Sequence, residues 1–161
     1  MKRLSTQSAV YLSLAVTCQL LLFYILKPLP EHLNVLQVQF TWSPEKFNNI
    51  LQSWSVEQRQ IFLSHYWVDF LYPLFYAMFF YSFLRESNVS RRVAQMFAAA
   101  GVFDLAENGL HLALIGGWLP ITALSVPVAA LLALVKWLLV SGFFIFSLGL
   151  LIFQRRQGLE K

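Results

Sequence analysis

Residues 93–115 read VAQMFAAAGVFDLAENGLHLALI. The stretch is apolar enough to cross a bilayer core of about 30 Å, for which about 20 residues suffice. It nevertheless carries Asp104, Glu107 and His111. On a helix Asp104, Glu107, Asn108 and His111 fall at i, i+3, i+4 and i+7, which is one stripe. A charged side chain at the centre of a membrane helix costs about 2.5–3.5 kcal/mol. The stripe is therefore expected to face other helices and to find polar partners there.

Three further apolar runs supply those helices. With residues 93–115 they give spans at about Ser8–Leu26, Ile61–Leu84, Val93–Ile115 and Pro127–Phe153. The hydrophobic fraction is 58% and the charged fraction 12%, whereas a soluble domain carries roughly 25% charged residues. The expected fold is all-α, an integral membrane four-helix bundle forming one domain over residues 1–161. The net charge of +4 does not indicate nucleic acid, because the basic residues sit at the ends of apolar segments, where they orient a membrane protein. Lys2, Arg3, Arg85, Arg91, Arg92, Arg155, Arg156 and Lys161 lie on one side, against Lys27, Lys46 and Arg59 on the other. That asymmetry predicts both termini and the middle loop in the cytoplasm. The first run follows Met1-Lys2-Arg3 but is long for a signal peptide and has no small-residue cleavage site, so it reads as a retained helix. Cys18 is the one cysteine and has no partner for a disulfide or a metal pair.

The outer loop, about residues 27–60, has its own pattern. Leu36, Val38, Phe40 and Trp42 alternate with polar residues, which reads as a short extended segment. Ser43-Pro44-Glu45 reads as a helix start. Phe47, Ile50, Leu51 and Trp54 then recur at helical spacing, as in a short interfacial helix. Ser55 and Gln58 form a capping box leading into the second span. The loop reads either as packing against the bundle or as a lid over an opening between helices.

Asp69, Glu107 and Lys136 lie eight or nine residues from the outer ends of their spans. At 1.5 Å per residue they share a plane roughly 12–13 Å below the outer interface. Asp104 lies deeper on the same stripe, and Gln19 reaches a similar plane from the first span. His65, Asp69, Tyr72 and Tyr76 form a matching stripe on the second. Pro73 cannot bond the carbonyl four residues earlier, which belongs to Asp69, so that oxygen needs another partner. Three acids against one lysine leave the charges unbalanced. Either some acids hold a proton at neutral pH, or a cation or protonated histidine completes the site.

Asp69, Asp104, Glu107, Asn108 and Lys136 are thus the candidate ligand- or proton-binding residues. Gln19, His65, Tyr72, Tyr76, His111 and Trp137 are the candidate lining. Each also has a structural reading. Lys136 with one acid is a possible interhelical ion pair, and Asn108 an interhelical hydrogen bond. The histidines near the interface read as solvated or capping groups, and the aromatic residues as packing. Histidines and carboxylates on facing helices can hold a metal. Here a full Glu-x-x-His pair is lacking and Lys136 opposes a cation, so neither metal nor cofactor is expected.

The ordered set Ser43-Pro44-Glu45, Asp69-x2-Tyr72-Pro73-x2-Tyr76, Asp104-x2-Glu107-Asn108 and Lys136-Trp137 resembles an uncharacterised family of small four-transmembrane proteins of bacteria. The resemblance covers nearly the whole chain and implies a bacterial inner-membrane, multi-pass setting without transferring an activity. A looser architectural likeness is to the sigma-2 receptor and sterol-isomerase group, which also use buried acids around an amphipathic ligand. This chain has Gln19 where the sigma-2 receptor has an acid in its first span. The leading expectation is binding of a small amphipathic or lipid-like molecule in an intramembrane cavity opening outward. The alternatives are a membrane-embedded acid–base enzyme, a proton- or ion-coupled transport subunit, and an assembly factor with a purely structural charge network.

Overall fold

The computed structural model describes residues 4–30 and 35–159, and the regular structure among them is helical. Lys2, Arg3 and Lys161, which entered the charge asymmetry, lie outside the described residues. The first helix, α1, spans Thr6–Leu26, and its N-cap Ser5 accepts from the Ser8 N–H. Along it only Ser8, Ala15, Cys18 and Leu22 are buried. They form one narrow stripe, while Val16, Leu20, Phe23 and Tyr24 are exposed. An apolar helix that buries so little against its own chain has the surface of a lipid-facing segment.

The outer connection folds as helices. α2 (Val35–Gln39) occupies the segment expected to be extended. A lone extended segment has no neighbour to take its backbone hydrogen bonds, and local helical bonds satisfy them instead. Val38 and Gln39 turn inward. α3 (Pro44–Gln52) starts at Ser43, whose hydroxyl accepts from Lys46 N, with Pro44 and Glu45 in the first turn. α4 (Val56–Ser64) starts at a complete capping box between Ser55 and Gln58.

α4 continues through α5 (Tyr66–Asp69) into α6 (Tyr72–Glu86). Residues Val56–Glu86 are together long and apolar enough to cross a membrane. The chain tightens at Phe70–Leu71, just before Pro73, where the Leu71 N–H donates to Val68 O at 2.9 Å. α6 ends with Asn88 in the left-handed region at φ 60. The Val89 N–H returns to Leu84 O at 3.0 Å, a Schellman-type stop.

The expected third span forms two helices, α7 (Arg91–Ala98) and α8 (Ala100–Ile115). At their joint Ala99 O accepts from Val102 N at 2.9 Å and from Phe103 N at 3.1 Å, so the turn tightens without opening. Two residues on, Gly101 lies against α6. A Cβ there would sit 2.7 Å from both Pro73 O and Ala77 Cβ. α9 (Ser125–Leu159) completes the chain. Among the described residues three helices are long and apolar enough to cross a membrane: Thr6–Leu26, Val56–Glu86 and Ser125–Gln154.

Two apolar cores result. One gathers Val38, Phe47, Leu51 and Trp54 from the outer connection with Phe62, Tyr66, Leu114, Ile115, Val126 and Ala129. The other joins Ala15, Tyr76, Phe80, Leu84, Val89, Ala94, Phe97, Ala100 and Phe143. Along the chain between Phe62 and Phe80, between Ala100 and Leu114, and between Val126 and Phe143, each segment passes through buried ionisable residues.

Candidate functional site

Those residues form a polar layer between the cores. Asp69, Asp104, Glu107, Asn108, His111, His65 and Lys136 are all buried. α8 supplies four of them because positions 104, 107, 108 and 111 share one face and that face meets α9 and α6. Lys136 is the hub. Its ammonium donates to Asp104 Oδ1 at 3.0 Å and also to Glu107 Oε2. The second oxygen of each acid is held as well. Tyr76 donates its hydroxyl to Asp104 Oδ2 at 2.9 Å, and His111 Nδ1 meets Glu107 Oε1 at 2.7 Å.

Asp69 sits apart from the lysine. Its carboxylate Oδ2 lies 3.5 Å from His65 Nε2. The other ring nitrogen of His65 is in contact with the Phe62 carbonyl, which can only accept. Nδ1 is therefore the protonated nitrogen of that contact.

The backbone oxygen that Pro73 leaves without a helical donor is also accounted for. Asn108 Nδ2 donates to Asp69 O at 2.9 Å. The sequence fault in one helix is thus matched by an amide on another.

The histidines depart in part from their sequence reading, although His65 does take the cap position at the end of α4. Each is only 2% exposed, not solvated. The outer helices cover them: Phe47 of α3 stacks on His111 at 6.1 Å between ring centroids, and Phe62 of α4 meets His65 edge-on at 4.7 Å. With both histidines in the layer, three carboxylates alternate with three basic side chains. Each carboxylate thus has a lysine or histidine side chain within contact distance.

The other lining candidates divide. Tyr76 is in the network, and Tyr72 packs its ring against Tyr76 at 5.1 Å without joining it. Gln19 is half-buried on α1. Trp137 is 39% exposed, so it lies at the edge of the layer. Its ring stands 5.6 Å from the Lys136 ammonium, and its indole N–H donates to Gln39 Oε1 at 3.1 Å.

Gln39 itself was not legible from the sequence. It reaches from α2 into the layer, where Nε2 approaches Glu107 Oε2 at 3.5 Å. The period-2 pattern of residues 36–42 obscured it. A helical reading, with Val35, Val38 and Gln39 on one face, would have found it. Among the described residues no group of three or more His, Cys, Asp or Glu side chains is placed to hold a metal ion.

Chemically, the layer can hold protons at its acid–histidine contacts. It can also present carboxylates to a cationic or hydrogen-bonding group that displaces an internal partner. No family model, curated protein or solved structure matches the chain.

Proposed function

We propose that the chain is a four-span protein of the bacterial inner membrane with both termini in the cytoplasm. Its polar layer binds the polar or cationic head of a small amphipathic molecule that enters from the outer side. Two features support the fourth span. Arg91–Ile115 covers about 37 Å at helical rise, and its acidic residues face Lys136 of a neighbouring helix. Single cysteines test the crossing in a Cys18→Ser background. Ser87→Cys is expected to label only from the cytoplasm and Trp118→Cys only from outside. Labelling of both from one side would sink the fourth span.

The observation that carries the binding reading is how the layer is closed on its outer side. Gln39 and Phe47, from the connection between spans, form that closure. The Gln39–Glu107 contact, at 3.5 Å, is the longest hydrogen bond within the layer. A head group with an N–H or ammonium donor would replace that amide at Glu107 Oε2 and gain a charge-assisted bond. Asp69 and Asp104 would flank it, and Trp137 would stand at the entrance.

A structural role for the same network is favoured by one observation: each carboxylate already has a basic partner. Native mass spectrometry of the detergent-extracted protein separates the two. Binding predicts a co-purifying small molecule that is lost in Asp69→Asn and Glu107→Gln. A wild-type protein free of any bound mass, together with variants that lose thermal stability, would establish the structural role instead.

A further inference from the structure

A groove on the bundle surface runs from Ala77, next to Tyr76 of the polar layer, towards the end that carries Arg85, Arg91 and Arg92. Its volume is about 440 Å³, and it lies along α6 between α1 and α7. Its floor is a single helical stripe at positions 77, 78, 81, 82, 85 and 86. From Ala77 to Glu86 this stripe is about 13 Å long. Ala77 and Met78 make one end apolar, Tyr11 and Ala98 form the walls, and Arg85 and Glu86 form the other end.

The two charges at that end are held in place, and among the described residues neither is neutralised. Glu86 Oε1 accepts the hydroxyls of Ser5 and Ser8, both at 2.5 Å, and Oε2 accepts the Ser5 N–H at 3.2 Å. All three donors are neutral, so the carboxylate keeps its charge. Arg85 gives one N–H to Val89 O at 2.8 Å, which fixes the guanidinium and leaves its remaining donors for other partners. Neither residue has an ion-pair partner among the described residues.

Two opposite, fixed charges at one end of an apolar channel match a molecule with the same order of parts. We infer that this groove binds a zwitterionic phospholipid with a primary amine, a phosphatidylethanolamine. The phosphate sits on Arg85, the ammonium on Glu86 Oε2, and an acyl chain runs between Tyr11 and Ala98 over Ala77 and Met78. A guanidinium recognises phosphate through paired N–H donors. A primary ammonium donates hydrogen bonds to a carboxylate, which a quaternary amine cannot do. An anionic lipid would bring its phosphate to Arg85 but leave Glu86 facing a second negative or neutral group.

The test uses the full chain in detergent, titrated by native mass spectrometry with phosphatidylethanolamine, phosphatidylcholine and phosphatidylglycerol of identical acyl chains. Phosphatidylethanolamine is expected to bind about tenfold more tightly than either other lipid, the size of one charge-assisted contact. Glu86→Gln is expected to abolish that preference, whereas Arg85→Gln, which removes the partner of a phosphate common to all three lipids, is expected to weaken all three. Ala98→Phe leaves both charges in place but narrows the channel, and is expected to weaken all three lipids. Equal binding of the three lipids by the wild-type chain would overturn the assignment. So would a preference that survives Glu86→Gln.

Discussion

The polar layer and the aromatic core beneath it are built on the same helices only a few turns apart, and they are held by different forces. In the layer every contact has direction: ammonium to carboxylate, phenol to carboxylate, amide to carbonyl. In the core the contacts are ring against ring. Phe80 and Phe143 stack at 3.7 Å between centroids, and Phe97 and Phe146 lie 5.5 Å apart. Where helices are surrounded by lipid, no water-driven force pulls apolar faces together, and close packing and interhelical hydrogen bonds do that work. The layer supplies the second and the phenylalanine core the first. Directional contacts also select one register among α6, α8 and α9, because a sliding ring still finds a neighbour whereas a displaced carboxylate does not.

That contrast can be broken most severely at its hub. Lys136→Met leaves Asp104 and Glu107 buried without their cation, and is expected to cost about 3–5 kcal/mol, measured as thermal unfolding in detergent. Adding Asp104→Asn and Glu107→Gln is expected to recover most of that loss, since the uncharged set no longer needs the ammonium. Failure to recover would mean the lysine acts through packing. In the core, Phe143→Ala is expected to cost about 3 kcal/mol, with no neighbouring substitution that restores it by charge balance. Asn108→Leu unpairs the Asp69 carbonyl and is expected to cost about 1–2 kcal/mol; restoring a helical donor with Pro73→Ala should reduce that penalty, and an undiminished penalty would break the link between the two residues. The smallest effect is expected from Ser55→Ala, about 1 kcal/mol through loss of the N-cap, read as faster amide exchange confined to the start of α4.

The sequence made the helices and the pairing demand visible, each for a local reason. Ser43, Ser55 and Gln58 announced helix starts because capping depends on residues within one turn. Pro73 announced an unpaired carbonyl because the missing N–H is a property of proline itself. What the sequence withheld was the partner: that Asn108 answers Asp69 depends on α8 crossing α6 at Gly101, which no local pattern encodes. The burial of the two histidines was missed for the same kind of reason, although His65 does cap α4. Counted from the span ends they belong near water, and the packing of Phe47 on His111 and of Phe62 and Tyr66 around His65 removes that water. Gln39 was lost because alternation over a few residues cannot be told from a short helix until one knows whether a neighbouring strand exists.

The order of residues along the chain gives the lysine hub a temporal meaning. Asp104 and Glu107 are both synthesised before Lys136, so a nascent chain delivers these two acids to the membrane first and their shared cation with α9. Until then the growing bundle carries a debt of charge that only α9 can settle. Closure of the charge layer thereby waits on α9. A chain that stops short of residue 136 announces its incompleteness through exposed acid rather than exposed hydrocarbon, the one signal that a lipid surrounding cannot conceal.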